Sequence, residues 1–297
     1  MIGTVGIVGL GAIGEPMAAN AVAAGFSTIV YDPRPEPLAR LTASGARAAA
    51  SVAELGRACR VVQVVVGNDA QLESVAYGAG ANAGLLENMA PGSSLIVHST
   101  VHPDTVTRLA QRCAERGITL LDAPVSGVQG AEASARAREM TFLIGGSASA
   151  MEAVRPLLEA SGTRLHHLGE VGAGTLVKLA ANAMTLVSME STREALRLIR
   201  RAGIDASTAL EVWRHTSGSN WAVENWERMH ALAERHPGGR QGLSELGYKD
   251  LTHALAVAHR LESPLPLAAI VSQLMEPRFG EEDAAATKEP SGASRPA

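Results

Sequence analysis

Residues 5–32 constrain the fold of this chain more than any other stretch. Val5 to Val8 is a short apolar run, and Gly9-Leu10-Gly11-Ala12-Ile13-Gly14 follows it at once. Met17 to Ala24 then reads as a helix, and Thr28 to Tyr31 reads as a second strand that ends in Asp32. Strand, G-x-G-x-x-G, helix, strand and acid come at the spacing a dinucleotide site needs. Gly9 allows the tight turn, Gly11 lets the backbone approach a pyrophosphate, and Gly14 lets helix and strand pack closely. The N-terminus of the helix offers backbone N–H groups to the phosphates. Asp32 is placed to accept hydrogen bonds from an adenosine ribose and to repel a 2′-phosphate, which favours NAD over NADP. Arg34 keeps NADP open, because an arginine here can hold that phosphate; its bland alternative is solvation or a pair with Glu36.

The alternation continues. Val61 to Val66 is an apolar run ending in Gly67-Asn68, and Ser94 to Val97 ends in His98-Ser99-Thr100. Ile118 to Leu121 leads into Asp122-Ala-Pro, and Thr141 to Ile144 ends in Gly145-Gly146. Helices fit between these strands, for example Pro103 to Arg116 and Ala148 to Ala160. Such alternation predicts an α/β fold with a doubly wound, mostly parallel sheet covered on both faces. Ligands of open α/β sheets sit at the carboxyl ends of the strands. Val66, Gly67, Thr100, Ser126 and Gly127 are therefore site candidates, each of which could also be an ordinary turn residue.

From about Gly172 the strand signals stop. Gly172 to Ala202 reads as one long helix, on the order of 45 Å at 1.5 Å per residue. Ser207 to His215, Asn220 to Ala233, Ser244 to Arg260 and Pro264 to Glu276 read as further helices. The expected organisation is a nucleotide domain over 1–168, a helical domain over 169–280 and a disordered tail over 281–297, the tail being charged, small and broken by Pro and Gly. Within the long helix, Lys178 and Asn182 stand four apart, so they leave the same face one turn apart. The stretch around them is nearly all apolar and reads as a buried core helix. An unpaired ammonium there is expensive, so it needs a partner or a task.

Composition narrows the function classes. The net charge of −4 gives no electrostatic reason to expect nucleic acid. The two cysteines offer no disulfide framework, which points to a reducing compartment such as the cytoplasm. The N-terminus lacks a basic region before its first strand and does not read as a signal peptide. Val171 to Met189 raises the membrane question, but Lys178 and Asn182 near its middle argue against a span. The nine histidines are scattered and no cluster has zinc spacing, so no metal is expected.

Four motifs in order resemble the β-hydroxyacid dehydrogenases, the family that contains 3-hydroxyisobutyrate dehydrogenase, tartronate semialdehyde reductase and threonate dehydrogenase. Gly9 to Asn20 is similar to its cofactor motif and Asp122-Ala-Pro-Val-Ser126-Gly127 to its substrate motif. Gly169 to Asn182 is similar to its catalytic motif and Lys249-Asp250-Leu251 to its C-terminal motif. The resemblance covers nearly the whole chain except the tail. It implies a Rossmann-type domain joined by a long helix to an all-helical domain, and hydride transfer between NAD, with NADP as the alternative, and a small 3-hydroxy acid. It implies Lys178 as general acid/base, Asn182 orienting the substrate, and Ser126 and Gly127 binding its carboxylate. Lys249 would reach the cofactor or the substrate, and Thr100 with the Val66-Gly67 turn would line the nicotinamide. A homodimer or homotetramer is expected, with no nucleic-acid or membrane partner.

The chain departs from the family in places. Val128 stands where a second glycine is usual. The segment Val128 to Met140 is longer than usual and carries Arg136 and Arg138. Trp221 could narrow the substrate pocket, whereas Trp213, Trp221 and Trp226 could equally anchor helix packing. Three rivals remain at this point: a 6-phosphogluconate dehydrogenase, an imine or semialdehyde reductase using NADPH, and a non-catalytic cofactor-binding module. The first has His immediately before the Asn, where Ala181 stands here; imine reductases typically carry Asp or Tyr at the Lys178 position; and keeping both Lys178 and Asn182 speaks against the third.

Overall fold

The structure is a computed structural model that describes residues 2–80, 82–235 and 238–275. Its main feature is a six-stranded, all-parallel sheet. The order from edge to edge is Arg47–Ala48, Thr28–Tyr31, Val5–Val8, Val61–Val64, Ser94–Val97 and Thr119–Asp122. Register is level across it: Val8 pairs with Tyr31 and Val64, Val64 with Val97, and Val97 with Asp122. All these carboxyl ends therefore form one edge. Val5–Val8 and Val61–Val64 are buried along their whole length, as strands covered on both faces must be.

Side-chain alternation divides the core in two. Val5 and Ile7 pack on one face with Met17, Ala18, Phe142, Val154 and Leu158. Val8, Val62 and Val64 pack on the other with Leu55, Leu72, Val106 and Leu109. Helices Gly14–Ala23 and Ala148–Glu159 contribute to the first face, and Val52–Ala58 and Pro103–Ala114 to the second. This is the expected doubly wound, Rossmann-type arrangement. Burying each such aliphatic side chain stabilises the fold by about 1.5–3 kcal/mol. Both cysteines are buried and free, and desolvation pushes the thiols of Cys59 and Cys113 up to about 12.

Thr141–Ile144 departs from the expectation of one sheet. It belongs to a separate three-stranded sheet, antiparallel to Val125–Ser126 and parallel to Arg164–His167. Pro124 has no N–H to continue the ladder, so the chain leaves the large sheet there and re-pairs with Thr141 and Phe142. An antiparallel bridge between Asp122 and Gly145 stitches the two sheets together. Arg164–His167 carries no apolar run, which is why no strand was expected from it.

The chain divides into two compact units between Lys178 and Leu179, inside the helix Ala173–Arg201. The second unit is helical. Leu179 and Ala183 pack with Leu251, Ala254, Ala268 and Val271, and Leu196 packs with Leu210, Val223 and Trp226. Asn220 to Ala233 is not one helix: Trp221–Glu224 and Trp226–Arg235 are separated at Asn225, whose carboxamide donates to Trp221 O at 2.9 Å. Pro266–Leu274 is the last helix described; Glu276 and the tail 281–297 lie outside the described residues. The long helix is less buried than its composition suggests. Leu179 and Ala183 face inward, but Leu176, Val177 and Met184 are exposed, because a helix has two sides and the fold covers one. Among the described residues, no helix is long and apolar enough to cross a membrane, and no group of three or more His, Cys, Asp and Glu could hold a metal.

His98 sits fully buried at the carboxyl edge of the sheet, in contact with Phe142. Its Nδ1 lies 2.7 Å from Ala123 O and its Nε2 lies 2.8 Å from the Gln63 carboxamide. A carbonyl only accepts, so Nδ1 carries the proton and donates to Ala123 O; Nε2 of the neutral ring is then an acceptor, which requires the Gln63 carboxamide to turn its NH2 to the place where Oε1 stands 2.8 Å away. Desolvation lowers the pKa from 6.5 to about 4, against the pull of the Ala123 carbonyl. The unfolded chain takes up a proton below 6.5 while the folded chain resists until about 4, so stability falls as pH falls through that window. Wild-type protein should lose about 3 kcal/mol more than His98→Gln across it, read from urea midpoints at each pH. Parallel pH dependences for the two proteins would refute the buried neutral imidazole.

Candidate functional site

The level carboxyl edge gathers most of the expected residues of the first unit. A cleft of about 890 Å³ opens there, lined by Gly9, Gly11, Asp32, Arg34, Val66, Gly67, Asn68 and Ala50 to Ala53 among others. The three motif glycines are needed for different reasons. Gly9 has φ +89, and a Cβ on it would lie 2.2 Å from Val65 O. A Cβ on Gly14 would lie 1.9 Å from Gly9 O, so this glycine lets the helix start against the turn. Around Gly11 an added Cβ meets nothing within 4 Å, so the space it keeps open is not used by the protein itself. Ile13, with Ala12 before it, caps the helix Gly14–Ala23 without any side-chain hydrogen bond to the first turn.

Asp32 is buried and fully engaged. Leu10 N donates to its Oδ2 at 2.7 Å, and Arg34 donates from its backbone N at 2.9 Å and from Nε at 2.8 Å to Oδ1. Arg34 Nη2 reaches Asp32 Oδ2 at 3.0 Å and Leu10 O at 3.1 Å. Burial opposes ionisation, but the Arg34 guanidinium and the Leu10 N–H outweigh it and hold the carboxyl below its ordinary range. Arg34 is thus neither simply solvated nor turned to Glu36. It lies across the acid that was expected to read the ribose.

Val66 and Gly67 are held by residues that the sequence reading passed over. Val66 N donates to Ser99 Oγ at 2.8 Å, and Gly67 N donates to Gln71 Oε1 at 2.8 Å. Thr100, Ser126 and Gly127 follow strands that end at the same edge but do not line the cleft. Gly127 is required by packing, since a Cβ there would lie 2.0 Å from Ser134 Oγ. The long segment after it forms the helix Ala131–Ala137. Arg136 pairs with Glu132, and Arg138, at φ 58, donates from Nε to Asn20 Oδ1 at 3.2 Å. Val128, in the place of the second glycine, is 72% exposed.

Asp122 has a role that the sequence does not assign to it. Its carboxylate, fully buried at the end of Thr119–Asp122, accepts from Gly172 N at 2.8 Å, Thr175 N at 2.8 Å and Thr175 Oγ1 at 3.0 Å. It thereby caps the start of the helix Ala173–Arg201, and Lys178 follows about one turn later. Burial pushes this carboxyl above its ordinary range, while the N–H and hydroxyl donors pull it back. Its signals in the sequence are an acid at a strand end and a place at the head of the Asp122-Ala-Pro-Val-Ser126-Gly127 motif, and neither tells what the carboxylate binds.

In the second unit, Asn182 Nδ2 donates to Asp250 Oδ2 at 2.6 Å. Lys249 Nζ lies 3.0 Å from Asp250 Oδ1, a charge contact out of line for a hydrogen bond. The Lys249 side chain is only 18% exposed, so this pair is not a surface salt bridge. Asn182 and Asp250 also line a cavity of about 250 Å³ with Met189, Arg193, Trp221 and Trp226. Trp226 belongs to the core as a packing anchor, and Trp213 packs against the same cluster.

Comparison with known proteins identifies the family. Residues 4–172 match the family model described as the NAD binding domain of 6-phosphogluconate dehydrogenase. Residues 172–289 match the one described as NAD-binding of NADP-dependent 3-hydroxyisobutyrate dehydrogenase. The chain is 35% identical to 3-hydroxyisobutyrate dehydrogenase of Pseudomonas aeruginosa over 274 residues, 91% of this chain and 90% of that protein. It is 36% identical to L-threonate dehydrogenase of Cupriavidus necator over 292 residues, 96% of this chain and 95% of that one. The crystal structure of 3-hydroxyisobutyrate dehydrogenase from Salmonella typhimurium aligns with a TM-score of 0.81 at 30% identity, covering 96% of this chain and 95% of that one.

The three glycines should separate folding from binding. Gly9→Ala and Gly14→Ala should yield little folded protein. Gly11→Ala should keep the wild-type melting temperature and weaken dinucleotide binding by at least about tenfold. Titration of protein fluorescence with dinucleotide tests this, and normal affinity in Gly11→Ala would contradict it.

Proposed function

This chain belongs to the β-hydroxyacid dehydrogenase family, the NAD(P)-dependent hydroxyacid oxidoreductases, and on that premise we propose that it oxidises a small 3-hydroxy acid with Lys178 as general acid/base. The observation that carries the reading is the start of the Lys178 helix. It is tied by Asp122 to the same strand edge at which the dinucleotide cleft opens. Gly9, Leu10, Gly11, Ala12, Ile13, Gly14, Asp32, Val66, Gly67 and Thr100 would hold the dinucleotide. The space left at Gly11 suits its pyrophosphate, and Asp32 would meet its ribose with the Arg34 guanidinium displaced from the carboxylate. When bound, that group supplies the acceptor for the hydride leaving the carbinol carbon.

The chain's own residues account for the rest. Lys178, as the amine, takes the hydroxyl proton as the carbonyl forms, and returns it in the reverse direction. Ser126 and Gly127 hold the substrate carboxylate, and Asn182 orients the substrate. The hydrogen bond to Asp250 fixes the carboxamide of Asn182, leaving its oxygen as the acceptor to face a ligand. Lys249 is a second cation, set against Asp250, that reaches the cofactor or the substrate. We assign the dinucleotide domain to 1–168 and the helical domain to 169–280. The exposed Val177 and Met184 support a homodimer or homotetramer, and the two free thiols suit a cytoplasmic setting.

Two measurements test this reading. Lys178→Ala should keep NAD binding and lower kcat by about 10³-fold, within the span that general acid–base catalysis supplies. Near-normal kcat with 3-hydroxyisobutyrate, L-threonate and related acids would remove the proposal. Ionised Asp32 should make kcat/KM higher with NAD than with NADP, and a clear NADP preference would show that Arg34 rather than Asp32 reads the ribose.

A further inference from the structure

The tie between Asp122 and the helix does more than support stability. Its carboxylate is fully buried, where desolvation works against the charge. Apolar side chains commonly serve stability as well as buried acids or better, so an acid in this place asks for another reason. Its geometry supplies one. Gly172 N, Thr175 N and Thr175 Oγ1 converge on the two oxygens from three directions at 2.8–3.0 Å, which sets both the height and the rotation of the helix start. The backbones close in around it. A Cβ on Gly145 would lie 2.2 Å from Asp122 Oδ1, and one on Gly174 would lie 2.1 Å from Leu143 O. The next residue is pinned as well, because His98 Nδ1 lies 2.7 Å from Ala123 O.

The two chains that leave this knot carry the two halves of the proposed chemistry. Ser126 follows Asp122 along one, and Lys178 follows Thr175 along the other, about one helical turn on. We infer that Asp122, acting with Thr175, is a positioning residue that sets the helix bearing Lys178 against the loop bearing Ser126. The amine then meets the substrate hydroxyl while the carboxylate is held. This inference rests on the reading of Lys178 as acid/base.

The test uses full-length Asp122→Asn, Thr175→Val, Thr175→Ser and Lys178→Ala, each assayed with the best acid of the panel and titrated with NADH. Displacing a reacting group by about 1 Å costs about 10²-fold. On that scale Asp122→Asn should lose about 100-fold in kcat and Thr175→Val about tenfold, with the Kd for NADH within about twofold of wild type. The solvent deuterium isotope effect on kcat should rise in both, because proton transfer to a displaced amine becomes limiting. Thr175→Ser keeps the hydroxyl and should stay within about threefold of wild type. If Asp122→Asn does not fold, Thr175→Val decides alone, since it removes one hydroxyl and leaves both N–H donors. Lower melting temperature with unchanged kcat and isotope effect in the folded variants would overturn the inference. So would an inactive Lys178→Ala beside wild-type-like Asp122→Asn and Thr175→Val. Near-normal turnover in Lys178→Ala would overturn the acid/base reading and this inference together.

Discussion

Parallel pairing in level register is the constraint from which the nucleotide unit follows. Because Val8, Tyr31, Val64, Val97 and Asp122 end together, every loop that leaves the sheet in the forward direction starts from one edge. Loops that carry Gly9 to Gly14, Asp32, Val66-Gly67, Thr100 and Ser126 are thereby brought close without any contact among them having to be specified. Parallel strands buried on both faces demand the apolar runs that the chain has. The same edge is where backbone N–H groups and helix starts remain open for a ligand.

One buried carboxylate joins this edge to the helix that crosses from the first unit into the second. Asp122 satisfies backbone donors at the helix start that would otherwise lie buried and unpaired, each worth about 1–3 kcal/mol if left so. Lys178 stands about one turn beyond Thr175, still within the first unit. The residues that hold the first turn therefore bear most directly on Lys178. Asp250 acts in a parallel way in the second unit, since Asn182 and Lys249 both meet its carboxylate.

Much of this was legible before any coordinates. The strand, glycine turn, helix, strand and acid of residues 5–32 specify local backbone conformations, and local preferences are what periodicity and turn residues report. The helical second half was equally plain. What could not be read were interactions between residues far apart in sequence. Asp122 meets Thr175 across 53 positions and Asn182 meets Asp250 across 68, and neither acid looks unusual in its own neighbourhood. The move of Thr141–Ile144 into a second sheet turned on Pro124, a residue in a different segment. The helix around Lys178 looked buried because composition reports how apolar a stretch is, not which side is covered.

The sequence by itself determined the class of fold, the dinucleotide motif and the family, because each rests on short-range patterns that survive without knowledge of the third dimension. Only the tertiary structure decided how the candidate groups are held. Arg34 lies across Asp32, Ser99 and Gln71 hold the Val66-Gly67 turn, and Asp122 caps the helix of Lys178. The reason is physical: a buried polar group must find its partners wherever the packing brings them, and that place is set by the whole fold rather than by the residues beside it.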